Sequence, residues 1–187
     1  MSDSRRTYVL VDGENIDATL GVSILGRRPR SEERPRWERL LNFAREEWDQ
    51  EVVGLFFLAV GTELPMSFVQ ALMAIGWRPV PLSGDHGEKV VDIAIQRTLR
   101  ELRTREAADV MLVSNDGDFV EEVEGLLDGE RRTGLVGFTE FRNSAFVHLA
   151  DDGLELFDLE YDVKAFTTPL SRVRIIPIEE FDPVQFL

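Results

Sequence analysis

The chain has 187 residues, 43% of them hydrophobic and none cysteine, so it can bury the core of one domain but cannot use disulfides, thiolate catalysis or cysteine-based metal sites. Its longest apolar run, residues 52–60, is too short to cross a bilayer and no secretory signal is visible, so we expect a cytoplasmic protein with no membrane partner. The formal net charge of −14 argues against nonspecific duplex binding through a broad basic face, unless bound divalent ions supply positive charge locally.

The first predicted element is a short apolar strand at residues 7–11, which ends at Asp12-Gly13-Glu14-Asn15. An acid at the end of a buried strand can face a ligand in a parallel sheet. A simple turn in which Asn15 or Asp17 caps the next helix explains the same residues equally well.

An arginine-rich segment follows at residues 21–36, and its prolines and glutamates predict a loop. This loop is either a solvated surface or a flexible arm that contacts phosphates and offsets the acidic body. The arginines considered for such a contact are Arg27, Arg28 and Arg30.

The next part of the chain alternates helices and strands. Apolar residues at helical spacing predict helices over residues 37–48 and 65–76. Residues 51–60 are apolar nearly throughout, as in strands covered on both faces, and two prolines place the strand at residues 77–82 at a sheet edge. The three tryptophans of the chain are interpreted as core or rim packing rather than base-stacking platforms.

A glycine-rich loop at residues 83–87 precedes a strong predicted helix, residues 88–105. Asp92 lies on the apolar stripe of this helix, where a carboxylate loses water and should be paired, protonated or bound to a metal. Charge complementarity with the helix N-terminus explains part of this placement. Lys89, one turn earlier, could reach a substrate phosphate as a point charge.

The central motif is a buried strand at residues 110–113, followed by the turn Ser114-Asn115-Asp116-Gly117-Asp118 and a predicted helix over residues 119–127. Two carboxylates therefore stand at the end of a strand, the edge where parallel α/β sheets bind ligands. Two such charges repel by about 4 kcal/mol at roughly 4 Å and an effective dielectric of about 20. A cation, a shared proton or a spread-apart geometry must relieve that repulsion.

The remaining pattern predicts a strand over residues 132–138, a short helix over 143–149 and a half-exposed edge strand over 154–159. Residues 172–178 could pair as one more strand, and residues 179–187 have the composition of a tail. Strands that alternate with helices in this way indicate an α/β fold with a mainly parallel sheet covered on both faces.

Four acids stand out by position, and if their strands are neighbours their carboxylates meet in one cleft. They are Asp12, Asp92, Asp116 and Asp118. Oxygen ligands without histidine or cysteine suit Mg²⁺ or Mn²⁺, which can activate water and hold a phosphodiester for attack. Asn15 and Ser114 could orient a carboxylate or a water by hydrogen bonding.

Three segments, in this order and spacing, resemble the NYN domain, a PIN-like family that includes LabA-type proteins and several ribonucleases. They are Asp12-Gly13-Glu14-Asn15, Lys89-Val90-Val91-Asp92 and Ser114-Asn115-Asp116-Gly117-Asp118-Phe119. The resemblance covers about residues 7–159, so we assign residues 1–159 to the domain and residues 160–187 to a C-terminal extension of unknown role. It implies a PIN-like (Rossmann-like) three-layer sandwich with a mainly parallel central sheet.

The same resemblance implies roles for individual residues. In the family the matching aspartates coordinate metal for RNA cleavage, which implies this role for Asp12, Asp92, Asp116 and Asp118. The family's asparagine matches Asn15 and its late serine matches Ser144. The glycine that usually follows the lysine is Val90 here, a departure that could crowd the cleft.

Two hypotheses follow from the sequence. The first is a Mg²⁺- or Mn²⁺-dependent endoribonuclease acting on single-stranded or loop RNA, and the second is a noncatalytic NYN-type module that binds RNA or a protein and regulates it. The complete acid set favours the first, and the net charge favours the second. Homodimerisation through the C-terminal extension is left open.

Overall fold

The computed structural model of the protein describes residues 5–61, 63, 65–172 and 177–187. Within them, six strands form one sheet: β1 (Arg6–Asp12), β2 (Glu51–Ala59), β3 (Trp77–Leu82), β4 (Ala108–Val113), β5 (Thr133–Gly137) and β6 (Glu155–Asp158). The α-helices are α1 (Gly13–Ala18), α2 (Trp37–Trp48), α3 (Met66–Ala74), α4 (Val90–Arg103), α5 (Val120–Glu124) and α6 (Ser144–Leu149). A π-helix spans Thr19–Leu25, and 3₁₀ turns span Ser31–Glu33, Gly117–Phe119, Thr139–Phe141, Ala150–Asp152, Ile178–Glu180 and Pro183–Phe186.

The sheet is parallel in every described pairing, with the strand order β3-β2-β1-β4-β5-β6. Every residue of β4 is buried, as expected for a strand covered on both faces. The expected edge positions of β3 and β6 are confirmed. So is the mainly parallel sheet that the alternation of elements predicted.

Helices cover both faces of the sheet, which confirms the three-layer arrangement. Ile16 of α1 and Leu41 of α2 belong to the apolar cluster on one face. Ile95 of α4, Val123 of α5 and Phe146 of α6 belong to the cluster on the other.

The strand order places the candidate site. From β1 the chain first adds β2 and β3 on one side, and it then returns to add β4, β5 and β6 on the other. Sheets of this kind bind ligands where the strand order reverses, which here is at the carboxyl ends of β1 and β4. Val11 pairs with Val113, so Asp12 and Ser114 leave the sheet side by side.

The loop predicted over residues 21–36 is wrong for its first part, because Gly21 to Leu25 belong to the π-helix. Ile16, Leu20 and Ile24 recur every fourth residue and are buried, so the apolar face of α1 continues through this segment. In the sequence, Gly21 and the β-branched residues around it obscure this helical repeat of apolar residues. The predicted helix over residues 119–127 is also shorter, since α5 ends at Glu124.

The chain after β6 contributes to the core. Val163, Ala165 and Phe166 are buried, and the Phe166 ring stacks on Phe138 with 6.0 Å between centroids. The Arg39 guanidinium donates hydrogen bonds to the backbone carbonyls of Lys164 and Phe166. The division of the chain at residue 159 stays a prediction, and this packing shows that residues 160–170 cover one face of the sheet.

The end of the chain is only partly described. Residues 173–176 lie outside the described residues, so the strand predicted at 172–178 stays a prediction. Residues 177–184 are exposed and contain short 3₁₀ turns. Among the described residues, no helix combines the length and the hydropathy needed to span a bilayer.

Candidate metal centre

Two hydrogen bonds fix the aspartate at the end of β1. Asp12 is only 2% exposed. Its Oδ1 accepts from the Asn15 backbone N–H at 3.2 Å, and its Oδ2 accepts from the Ser114 hydroxyl at 3.0 Å. The helix that follows β1 and the turn that follows β4 therefore orient the same carboxylate.

Two asparagines tie the turn after β4 to its neighbours. The Asn15 Oδ1 accepts from the Asn115 backbone N–H at 2.8 Å, and the Asn115 Oδ1 accepts from the Phe138 backbone N–H at 2.9 Å. A Cβ at Gly137 would collide with the Asn115 amide, so glycine is required for this approach. Sequence reasoning overlooked Asn115, and the signal available was a turn-forming residue two positions after the end of a buried strand.

Asp116 caps the 3₁₀ turn that follows it. Its backbone N–H donates to the Ser114 hydroxyl at 3.1 Å, and its Oδ1 accepts from the Asp118 backbone N–H at 3.0 Å. Its second carboxylate oxygen accepts no hydrogen bond from the described residues. The turn therefore holds the Asp116 side chain while one oxygen stays available to a ligand.

Asp92 reaches the site from the first turn of α4 with 18% of its side chain exposed. The Lys89 ammonium lies 3.4 Å from the Asp92 Oδ2 and 2.9 Å from the Asp118 Oδ2. The partner expected for a carboxylate on an apolar stripe is therefore present, and it is a lysine shared with a second acid.

Three of the four predicted aspartates come together. One carboxylate oxygen from each of Asp12, Asp92 and Asp116 lies within 4.8 Å of the other two. We call these three residues the acid cluster. Asp118 is not part of it, since its side chain is 53% exposed and contacts Lys89 instead.

The electrostatics of the acid cluster are unfavourable without a cation. Burial raises the pKa of Asp12 to about 6, and the charges on Asp92 and Asp116 add to the effect, while the bonds from Asn15 and Ser114 oppose it. Burial also raises the pKa of Asp92, although the Lys89 charge opposes this. The hydrogen bond to Asp118 raises the pKa of Lys89.

The family model of the NYN domain matches residues 6–157, which is most of the chain. The chain belongs to the NYN domain family. Its six-stranded parallel sheet with helices on both faces is the PIN-like layout of NYN domains. The search of curated proteins gave no match.

The acid cluster of this NYN domain fits a small divalent cation. Octahedral Mg²⁺ binds oxygen at about 2.1 Å, so its ligand oxygens are about 3.0 to 4.2 Å apart. Oxygens that already lie within 4.8 Å of one another need only a small movement to reach this spacing. All three donors are carboxylates, and a cation among them would offset the burial of Asp12.

The predicted serine of the NYN domain lies close to the turn but is not bonded to the acids. Ser144 is the first residue of α6, and the amide of the preceding Asn143 leaves no room for a Cβ at Gly117. The start of α6 therefore packs against the turn that carries Asp116. Among the described residues, no hydrogen bond links the Ser144 side chain to the acid cluster.

The arginines considered for RNA contact differ in their partners. The Arg27 guanidinium donates two hydrogen bonds to the Glu33 carboxylate, at 2.8 and 2.6 Å. Arg28 and Arg30 are exposed and form no ion pair with the described residues. Arg28 also lines a cavity that begins at Gly13, beside Asp12.

Proposed function

We propose that this NYN domain is a metal-dependent endoribonuclease that hydrolyses RNA phosphodiesters with Mg²⁺ or Mn²⁺. The observation that carries the proposal is the convergence of Asp12, Asp92 and Asp116 at the carboxyl edge of the sheet. A fold hosts many functions, so the proposal depends on this site and not on the sheet. Membership of the NYN family supports it.

The acid cluster would hold the cation through one oxygen of each side chain. A divalent cation bound there would lower the pKa of a bound water and offset the charge of a phosphodiester. Ser114 and Asn15 hold the Asp12 carboxylate before any substrate arrives. Asp12 would therefore need little reorganisation to bind the cation.

Lys89 and Asp118 form the outer side of the site. The Lys89 side chain is 68% exposed and keeps its ammonium beside two carboxylates. We propose that Lys89 contacts an RNA phosphate and that Asp118 positions the ammonium for this contact. The role of Asp118 as a metal ligand, implied by the family, stays a prediction, and Ser144 is proposed as a supporting residue of the adjacent turn.

A second candidate is a noncatalytic NYN-type module that binds RNA or a protein and regulates it. The net charge of −14 favours this candidate, because an acidic body repels an RNA strand wherever no cation intervenes and so opposes RNA cleavage. It predicts that RNA stays intact and that the chain binds either RNA or a protein partner.

Cleavage of a mixed pool of short RNAs tests the proposal. We expect the wild-type chain to cleave RNA in Mn²⁺ or Mg²⁺ and to stop when EDTA is added, because the clustered acids repel a phosphodiester when no cation is bound. Cleavage that continues undiminished in EDTA contradicts the metal dependence. RNA that is bound in Mn²⁺ but stays intact supports the regulatory module.

Arg28→Gln should weaken RNA binding and lower the slope of log affinity against log salt by about 0.7, the value for one lost contact to a single-stranded phosphate. Arg27→Gln is the matched control, because Glu33 already neutralises Arg27 and its loss should change the slope less. The measurement is fluorescence anisotropy of a labelled RNA at several salt concentrations in EDTA. A salt slope in Arg28→Gln equal to that of the wild type would assign the loop to the solvated surface.

A further inference from the structure

A cavity of about 620 Å³ lies between α1, the 3₁₀ turn Ser31–Glu33 and the start of α3. Its volume is within the range of pockets that bind small organic ligands, so a nucleobase with its ribose fits inside. Its lining includes Gly13, which directly follows Asp12 in the chain. The backbone therefore passes directly from a residue of the acid cluster to the wall of the cavity.

Aromatic rings form one wall of the cavity. Phe56 is buried and makes edge-to-face contacts with Trp37, at 4.9 Å between centroids, and with Phe68, at 5.6 Å. Trp37 and Phe68 are only partly buried, and both line the cavity. Trp77 packs on Phe56 as well. These mutual contacts hold the two partly exposed rings in place without a ligand.

Trp37 thus has a surface that a core tryptophan lacks. Trp48 and Trp77 are both buried, in agreement with the packing role that the sequence predicts for all three tryptophans. Partly exposed aromatic rings are the feature on which single-stranded nucleic acids stack their bases.

The charges on the cavity wall are balanced, in contrast to the net charge of the chain. Arg34 and Asp17 form an ion pair at 2.9 Å and neutralise each other. Arg28 has no ion-pair partner among the described residues and can meet a phosphate. Glu14, the remaining charged residue of the lining, can accept a hydrogen bond from the amino group of a base.

We propose that this cavity binds one nucleobase of a single-stranded RNA, stacked against Trp37 and Phe68, with Arg28 at the adjoining phosphate. The occupant is single-stranded because a base enters such a cavity only after it leaves its stack and its pair. The inference rests on the proposed function for the choice of RNA. Base binding itself requires no cleavage, so the two can fail separately.

The test is an abasic scan of a short RNA selected from a mixed pool for binding to the wild-type chain in EDTA. One base at a time is removed from the oligonucleotide and the affinity is measured by anisotropy. Removal of the base that occupies the cavity should weaken binding about tenfold, the size expected for one base stacked on an aromatic side chain. Removal of most other bases should weaken it less.

Phe68→Leu completes the test because it removes the ring and keeps an apolar side chain. We expect Phe68→Leu to weaken binding of the intact RNA and to abolish the penalty at the sensitive abasic position, since both changes remove the same contact. Phe43→Leu is the matched control, because Phe43 is also partly buried and makes its edge contact with Phe157, at 5.2 Å, outside the cavity lining. Melting temperatures of the two variants are measured to verify that both remain folded.

The outcomes separate the two proposals. An equal penalty at every abasic position, or equal effects of Phe68→Leu and Phe43→Leu, overturns the base pocket even if RNA is cleaved. Unchanged RNA binding in Phe68→Leu also overturns it and would leave the cavity to another partner, such as a protein side chain. If Phe68→Leu abolishes the penalty at the sensitive abasic position but the chain never cleaves RNA, the base pocket is supported and only the nuclease function is overturned.

Discussion

Asp116→Asn should lower the rate of RNA cleavage at least about a hundredfold while the protein stays folded. Asp116 offers the acid cluster one oxygen, and a metal ion contributes several kcal/mol of charge stabilisation, with about 1.4 kcal/mol for each factor of ten in rate. Asparagine retains an oxygen that can accept from the Asp118 backbone N–H, so the 3₁₀ turn is kept. The substitution also removes a charge that raises the pKa of Asp12 and of Asp92.

Two further variants sharpen this prediction. Asp118→Asn should reduce cleavage less, because Asp118 contacts Lys89 and does not belong to the acid cluster. Asp152→Asn removes an exposed carboxylate outside the site and should leave cleavage unchanged. The rates are compared in Mn²⁺, with circular dichroism to verify folding. Cleavage at the wild-type rate by a folded Asp116→Asn protein would remove the acid cluster from the mechanism.

Asp12→Asn should raise the free energy of unfolding at pH 8 by up to about 3 kcal/mol and should have little effect near pH 4. In the unfolded chain Asp12 ionises near its ordinary pKa of about 3.9, whereas burial raises its pKa to about 6 in the folded protein. Between these values the unfolded chain has released a proton that the folded protein retains, so stability falls as the pH rises. Above about pH 6 the full loss of stability has occurred, and Asp12→Asn avoids this loss because asparagine is neutral.

The hydrogen bonds of Asp12 set the size of the gain. The two Asp12 carboxylate oxygens accept one hydrogen bond each, from the Asn15 N–H and the Ser114 hydroxyl. Asparagine keeps only one of these acceptor oxygens, so loss of one hydrogen bond should reduce the gain in stability by roughly 1 kcal/mol. Urea unfolding at the two pH values, without divalent ions, measures the difference, and Asp152→Asn serves as the exposed control. Added Mg²⁺ should stabilise the wild type more than Asp12→Asn. If Asp12→Asn is destabilised equally at both pH values, burial of the ionised Asp12 carboxylate does not lower the free energy of unfolding.

The sheet and the three converging acids were predictable because they depend on local patterns. Apolar runs mark β1 and β4, acids mark their carboxyl ends, and strands that alternate with helices predict a parallel sheet. Parallel strands bring such ends to one edge, so Asp12 and Asp116 meet if β1 and β4 are neighbours, as the strand order shows that they are. Asp92 follows from its place on the apolar stripe of α4, which must face the sheet.

The sequence could not predict features that depend on distances between packed elements. The pairing of Lys89 with Asp118 requires the start of α4 to lie beside the turn after β4, and no periodicity encodes this separation. The packing of Val163 and Phe166 onto the sheet was missed because irregular backbone places buried residues without a repeat. The cavity beside Gly13 is formed by segments far apart in the chain, so it too appears only in the folded structure.

The position of β1 in the interior of the sheet has a consequence for synthesis. One edge of β1 pairs with β2, which follows soon in the chain, but its other edge must wait for β4. A nascent chain that has not yet released β4 from the ribosome can bring Asp12 to its place but cannot bring Asp116 beside it. The order of translation therefore delays assembly of the acid cluster until most of the domain has been made.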